Sequence, residues 1–151
     1  MIRTEDQTPD RRAWMGLLAK APAGRVAALL DGLGARPDFA WLRAPEVGSV
    51  MLRGRIGGSG APFNAGEMTV TRCALRLADG TAGHAWIGGR RKADAEAAAL
   101  VDAMMMTEQA ERTRAAVLAP LETEAEARRS ARAEKAAATR VDFFTLQRGD
   151  D

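Results

Sequence analysis

The chain has 151 residues, enough for one domain with a modest core. Hydrophobic residues reach 46%, but alanine supplies much of this and aromatics only 5%, so the core is expected to rest on a few Leu, Val, Met and Trp side chains. A charged fraction of 28% and a net charge of +2 describe an ordinary soluble protein and lack the dense basic patch of a nucleic-acid binder.

Thr8-Pro9 reads as a helix start, because Thr caps and Pro suits the first helical position. Trp14, Leu17, Leu18 and Ala21 follow at helical spacing. A second helix is predicted after Pro22, with Val26, Leu29, Leu30 and Leu33 as its apolar stripe and Gly34 placed to end it. From Asp38 the pattern changes to strands. Phe39–Arg43 and Val50–Ile56 are predicted as two strands, joined by the turn-like Pro45-Glu46-Val47-Gly48-Ser49. Met68–Leu77 is a third, and Asp79-Gly80 marks a tight turn into a fourth, Gly83–Gly88. No intervening helix is long enough for a parallel crossover, so the sheet is expected to be antiparallel.

Helical periodicity returns near Arg91, with Ala97, Leu100, Val101, Met104 and Met105 on one face. Pro120 is expected to interrupt this helix. The segment after it is alanine-rich and highly charged; Glu124 and Arg128 form an i,i+4 pair worth about 0.3 kcal/mol. These features predict an α+β fold: an N-terminal helical pair, a small antiparallel sheet, and long C-terminal helices with an extended tail. Residues 1–119 make the core domain, and 120–151 a helical arm with a partner-docking tail.

The chemistry is sparse. Gly57-Gly58-Ser59-Gly60 leaves two readings open: a cradle of backbone N–H groups for a phosphate, which with the arginines would make a stand-alone phosphate- or nucleotide-binding module, and a loop between strands. It lacks the lysine and hydroxyl of a P-loop and precedes a strand, which favours the loop. His84 is the only histidine and Cys73 the only cysteine, which excludes an internal disulfide and a His/Cys metal cluster. His84 is expected to be packed or hydrogen-bonded, Cys73 a small buried side chain, and Met104-Met105-Met106 core filling. Arg53 and Arg55 alternate onto one face of their strand, as Arg72 and Arg76 do on theirs. With those faces aligned, four guanidiniums would make an anion-binding surface; a solvated face, or arginines paired with a partner's carboxylates, is the other reading. Val141, Phe143, Phe144 and Leu146 form an apolar cluster after a polar arm. Docking on a partner and folding back on the parent sheet both stand. No catalytic residue, cofactor site or metal site is assigned. No apolar run reaches bilayer-spanning length, and the first residues lack the apolar core of a signal peptide, so a cytoplasmic location is expected.

Three separated segments, in order, resemble one family. They are Arg55-Ile56-Gly57-Gly58-Ser59-Gly60-Ala61-Pro62-Phe63-Asn64 running on to Arg72, Asp79-Gly80-Thr81-Ala82-Gly83-His84-Ala85-Trp86-Ile87-Gly88-Gly89-Arg90, and Val141-Asp142-Phe143-Phe144-Thr145-Leu146-Gln147-Arg148-Gly149-Asp150. Together with Trp14 and Leu118-Ala119-Pro120-Leu121, they look like the PhnG family, the small subunit of the bacterial phosphonate carbon–phosphorus lyase system. The resemblance implies a core complex with PhnH, PhnI and PhnJ. It implies that PhnG, PhnH and PhnI, with PhnL acting transiently, make α-D-ribose 1-methylphosphonate 5-triphosphate from methylphosphonate and ATP, releasing adenine. ATP is then a substrate of the complex. The iron–sulfur cluster and S-adenosylmethionine belong to the lyase subunit PhnJ, and the displacement chemistry mainly to PhnI. The family also uses tyrosine at the position of His84, which argues against a catalytic histidine. Neither nucleic acid nor membrane is an implied partner.

Overall fold

A computed structural model describes residues 8–141. The Thr-Pro start opens α1 (Thr8–Ala19), which buries Trp14 and Leu18. Gly24 then takes a φ of 75°, a left-handed conformation open to glycine, and starts the short α2 (Arg25–Asp31) with Val26 and Leu30 buried. Helix α2 ends at Asp31, just before the expected stop, and Gly34 takes a φ of 108° in the link that follows.

The sheet has three antiparallel strands in the order β1-β2-β3, and its first strand departs from expectation. Phe39–Arg55 is one 17-residue strand, β1, rather than two strands joined by a turn. The register with β2 (Pro62–Leu77) slips between Trp41 and Arg43 and again between Arg43 and Glu46. Bulges absorb the extra residues without ending the pairing. Pro45 is tolerated because β1 is an edge strand. The Asp79-Gly80 turn is as predicted: Gly80 N–H donates to Leu77 O at 3.0 Å, Thr81 N–H to the Asp79 carboxylate at 2.9 Å, and β3 (Ala82–Gly88) follows.

Strand β3 pairs only with Val70–Arg76. Past that point β1 and β2 continue alone as a ribbon to the pair Arg55–Pro62. Eight residues of strand make this projection about 25 Å long. Its tip is a turn closed on itself. Gly57 and Gly58 take φ of 61° and 79°, and Gly60 N–H donates to Ile56 O at 2.8 Å.

Helix α3 (Lys92–Met104) is the centre of the core. Ala95, Ala97 through Val101, Ala103 and Met104 are all buried, because α3 lies between the inner sheet face on one side and α1 and α2 on the other. Its alanines permit that closeness. At Gly83 a Cβ would lie 2.0 Å from Ala99 O and 2.8 Å from the Ala103 Cβ, so β3 and α3 meet backbone to backbone. Leu75, Ile87, Leu100, Leu118 and Leu121 complete the core.

The helical run breaks at Thr107, not at Pro120. The Thr107 hydroxyl donates to Met104 O at 2.8 Å and accepts from Gln109 N–H at 3.2 Å, a local turn that competes with the helix. Then α4 (Ala110–Thr113), a π turn (Arg114–Leu118) and α5 (Ala119–Ala138) run on as one helix. Pro120 sits just past the π turn, where widened hydrogen bonding accommodates a residue without an N–H. Leu121 is buried, and Arg25 Nη2 donates to Glu124 Oε1 at 2.6 Å, so the first turns of α5 are tied to α2. From Glu126 to Ala138 every side chain is exposed. Among the described residues, no helix is long and apolar enough to cross a membrane.

Candidate functional site

One sheet face is covered by α3; the other is bare of helices. Alternation and register place Glu46, Arg72 and Trp86 side by side on this outer face, one from each strand. The Arg72 guanidinium donates to Glu46 and stands 5.4 Å from the Trp86 ring centroid, a cation–π contact. Arg43 donates to the same Glu46 oxygen across a bulge. The hydrogen bond from Arg43, then that from Arg72, holds the Glu46 carboxyl below the usual carboxylate range. Ala40, Ala74 and Ala82 separate these groups, and Arg76 makes no ion pair among the described residues.

Behind this face lies a buried polar cluster that the sequence did not reveal. The Asp102 carboxylate, on α3, is fully buried. It accepts from Arg11 Nη2 at 2.7 Å and Nε at 3.2 Å, from Trp14 Nε1 at 2.9 Å, and from the backbone N–H of His84 at 2.9 Å. Arg11 Nη2 also stands 3.2 Å from His84 Nδ1. A guanidinium only donates, so Nδ1 accepts and the imidazole proton resides on Nε2. His84 is thus a hydrogen-bonded residue tied to α1, as expected. Beside it, α1 and β3 enclose a shallow cavity of about 270 Å³ lined by Met15, Leu18, His84 and Trp86. The signal in the sequence was an aspartate inside an otherwise apolar helical run.

A second cluster fixes the start of α3. Arg91 donates to Asp94 at 2.7 Å and to Ala21 O at 3.0 Å, and Gly24 N–H donates to the same carboxylate at 2.8 Å. Cys73 is buried, with Sγ 3.2 Å from Ala95 O, and burial pushes its thiol up to about 12. Met104 and Met105 fill the core. Among the described residues, no group of three His, Cys, Asp or Glu gathers where it could hold a metal ion.

The four arginines fall in two places. Arg72 and Arg76 lie on the outer sheet face, opposite Glu46 and Ala40. Arg53 and Arg55 lie at the ribbon tip, opposite Asn64 and Pro62. Counting from Glu46, positions 53 and 55 fall on the other face of β1. The aligned faces that a four-arginine anion surface requires are therefore not formed. Arg55 instead donates to Gly60 O at 3.0 Å and helps close the tip. Val141 is exposed at the end of α5; Phe143, Phe144 and Leu146 lie outside the described residues.

An α+β core from which a β-ribbon and a bare helix project is the build of a protein that meets other chains. A family model described as Phosphonate metabolism protein PhnG matches residues 9–149. A curated relative from Rhizobium meliloti (strain 1021), named Alpha-D-ribose 1-methylphosphonate 5-triphosphate synthase subunit PhnG, is 43% identical over 141 residues, covering 93% of this chain and 90% of its own. The chain belongs to the PhnG family.

Proposed function

We propose that this chain is the PhnG subunit of an α-D-ribose 1-methylphosphonate 5-triphosphate synthase, acting in phosphonate catabolism. The observation that carries the reading is the 43% identity to the synthase subunit across nine-tenths of both chains. With PhnH and PhnI, and transiently PhnL, it serves the conversion of methylphosphonate and ATP to the ribosyl product, with release of adenine. It sits in a cytoplasmic core complex that also holds PhnJ.

Its role is that of a non-catalytic subunit of a transferase. Two observations support this. The Cys73 thiol is buried and pushed up to about 12, far from a thiolate nucleophile. His84 Nδ1, the base position of the imidazole, is occupied by the Arg11 guanidinium. The chain brings no cofactor of its own; the iron–sulfur cluster and S-adenosylmethionine are PhnJ's.

The α5 arm and the tail beyond it grip a neighbouring subunit. The observation behind this is the bare surface of α5 from Glu126 onward, which finds nothing to pack on within its own core. Val141, Phe143, Phe144 and Leu146 are the docking side chains, and burying each phenylalanine is worth about 1.5–3 kcal/mol. Deletion of residues 141–151 should leave the core folded and weaken assembly. Co-purification of the truncated chain with PhnH, PhnI and PhnJ at full stoichiometry would refute the tail's role.

A further inference from the structure

The β1–β2 ribbon is amphipathic. Its face continuous with Glu46 and Arg72 carries Val50, Leu52, Phe63 and Met68, interleaved with glycines 48, 54 and 66. The Phe63 ring lies over Gly54, 3.4 Å from where a Cβ would stand. The opposite face carries Met51, 52% exposed, among the polar Ser49, Arg53, Arg55, Glu67 and Thr69, so it is the less apolar of the two. Leu52, Phe63 and Met68 are 44%, 45% and 41% exposed, and Ile56 at the tip is 73% exposed. A two-stranded ribbon with a bare apolar face is only marginally stable in water. A polar loop would serve to join two strands, so this ribbon is shaped for a surface it does not have.

We propose that the apolar face of the ribbon, together with the arginine strip at its base, seats a partner subunit that presents an apolar ridge flanked by carboxylates. The inference rests on the subunit reading and locates its interface. Charge selects the partner. Below the apolar stretch, the outward positions of the three strands include Arg43, Arg72 and Arg76 against a single acid, Glu46. Glu46 is already shared by Arg43 and Arg72. A second copy stacked face to face about a two-fold axis would set the arginine strip against either its own like-charged copy or the apolar end of the ribbon, both unfavourable. Two bulges and Pro45 interrupt the β1 edge between Trp41 and Glu46, beside the arginine strip.

The test is co-expression of the full chain with PhnH, PhnI and PhnJ, followed by affinity purification and native mass measurement. The L52E/F63E variant should lose roughly ten-fold or more of the partner retained by the wild type. R76E should lose less but measurably. R53Q/R55Q, on the opposite ribbon face, should retain partners fully. The free L52E/F63E chain should still protect Cys73 from thiol reagents, because the altered side chains lie outside the core. Full partner retention by L52E/F63E would overturn the proposal while leaving the subunit reading intact. A wild-type homodimer broken by the same variant would make the occupant a second copy and also overturn it. Loss of Cys73 protection in the variant would show the face packed within the chain itself, which equally overturns the proposal. A wild-type chain that retains no partner would remove the subunit reading on which the proposal stands.

Discussion

Replacing Asp102 with alanine should be the most destabilising single truncation in the core. The carboxylate is fully buried and accepts four hydrogen bonds from three residues on two other elements, α1 and β3. In Asp102→Ala, Trp14 Nε1 and the His84 N–H lose their acceptor in a site water cannot readily reach. Each unsatisfied buried donor costs about 1–3 kcal/mol. Arg11 suffers less, because its side chain is 31% exposed and can turn to solvent. Together these give about 3–5 kcal/mol, in the range for breaking a buried ion pair. Against a typical total of about 5–15 kcal/mol, that is a large share of the fold's stability. In urea unfolding followed by tryptophan fluorescence, a slope of about 2 kcal/mol per molar moves the midpoint down by roughly 2 M. Asp102→Asn should be milder, since an amide oxygen keeps one acceptor. A midpoint shift below about 0.5 M for Asp102→Ala would refute the claim that this carboxylate holds α1, β3 and α3 together.

Gly83→Ala should be nearly as damaging, because its Cβ would fall 2.0 Å from Ala99 O and the backbones must part; unchanged thermal stability would show that α3 and β3 can slide. Cys73 should be silent to thiol reagents until the chain unfolds. With its folded pKa pushed up to about 12, the unfolded thiol ionises first as pH rises from 9, so stability should fall between about pH 9 and 12, and less so in Cys73→Ala. Identical alkaline slopes for both chains would contradict this. The Glu124 carboxyl is held low by its hydrogen bonds from Arg25, so its contribution is present above the usual carboxylate pKa and lost as pH falls through the depressed one. Melting curves from pH 5 to pH 2 should therefore fall less steeply for Glu124→Gln; parallel curves would show that the pair adds nothing.

The helices are legible in the sequence because periodicity reports burial directly. Trp14, Leu18, Val26, Leu30, Leu100 and Val101 lie on the apolar stripes and are buried. The Asp79-Gly80 hairpin is legible because its turn needs those residues. Strand β1 is not, since Pro45 and Gly48 carry turn chemistry and nothing local tells a turn from a bulge; the pairing with β2 decides. Pro120 misleads for a similar reason: the π turn before it depends on tertiary packing of Val117 and Leu118. Helical spacing pairs Glu124 with Arg128, whose charge does help hold the Glu124 carboxyl low, but the larger effect is the hydrogen bond from Arg25 across on α2, which local spacing does not show. The separation of Arg53 and Arg55 from Arg72 and Arg76 follows from one long ribbon, which a reading of two shorter strands hides. Val50-Met51-Leu52 is an unbroken apolar run, so alternation alone does not show which ribbon face is the more apolar; the register with β2 does.

The most direct test of the subunit role is reconstitution by omission. PhnH, PhnI and PhnL are supplied with methylphosphonate and ATP, with and without this chain, and adenine release and the ribosyl triphosphate product are measured. Product should form only when this chain is present, together with a stoichiometric complex containing it. Equal product without the chain would contradict its place as a required subunit of the synthase.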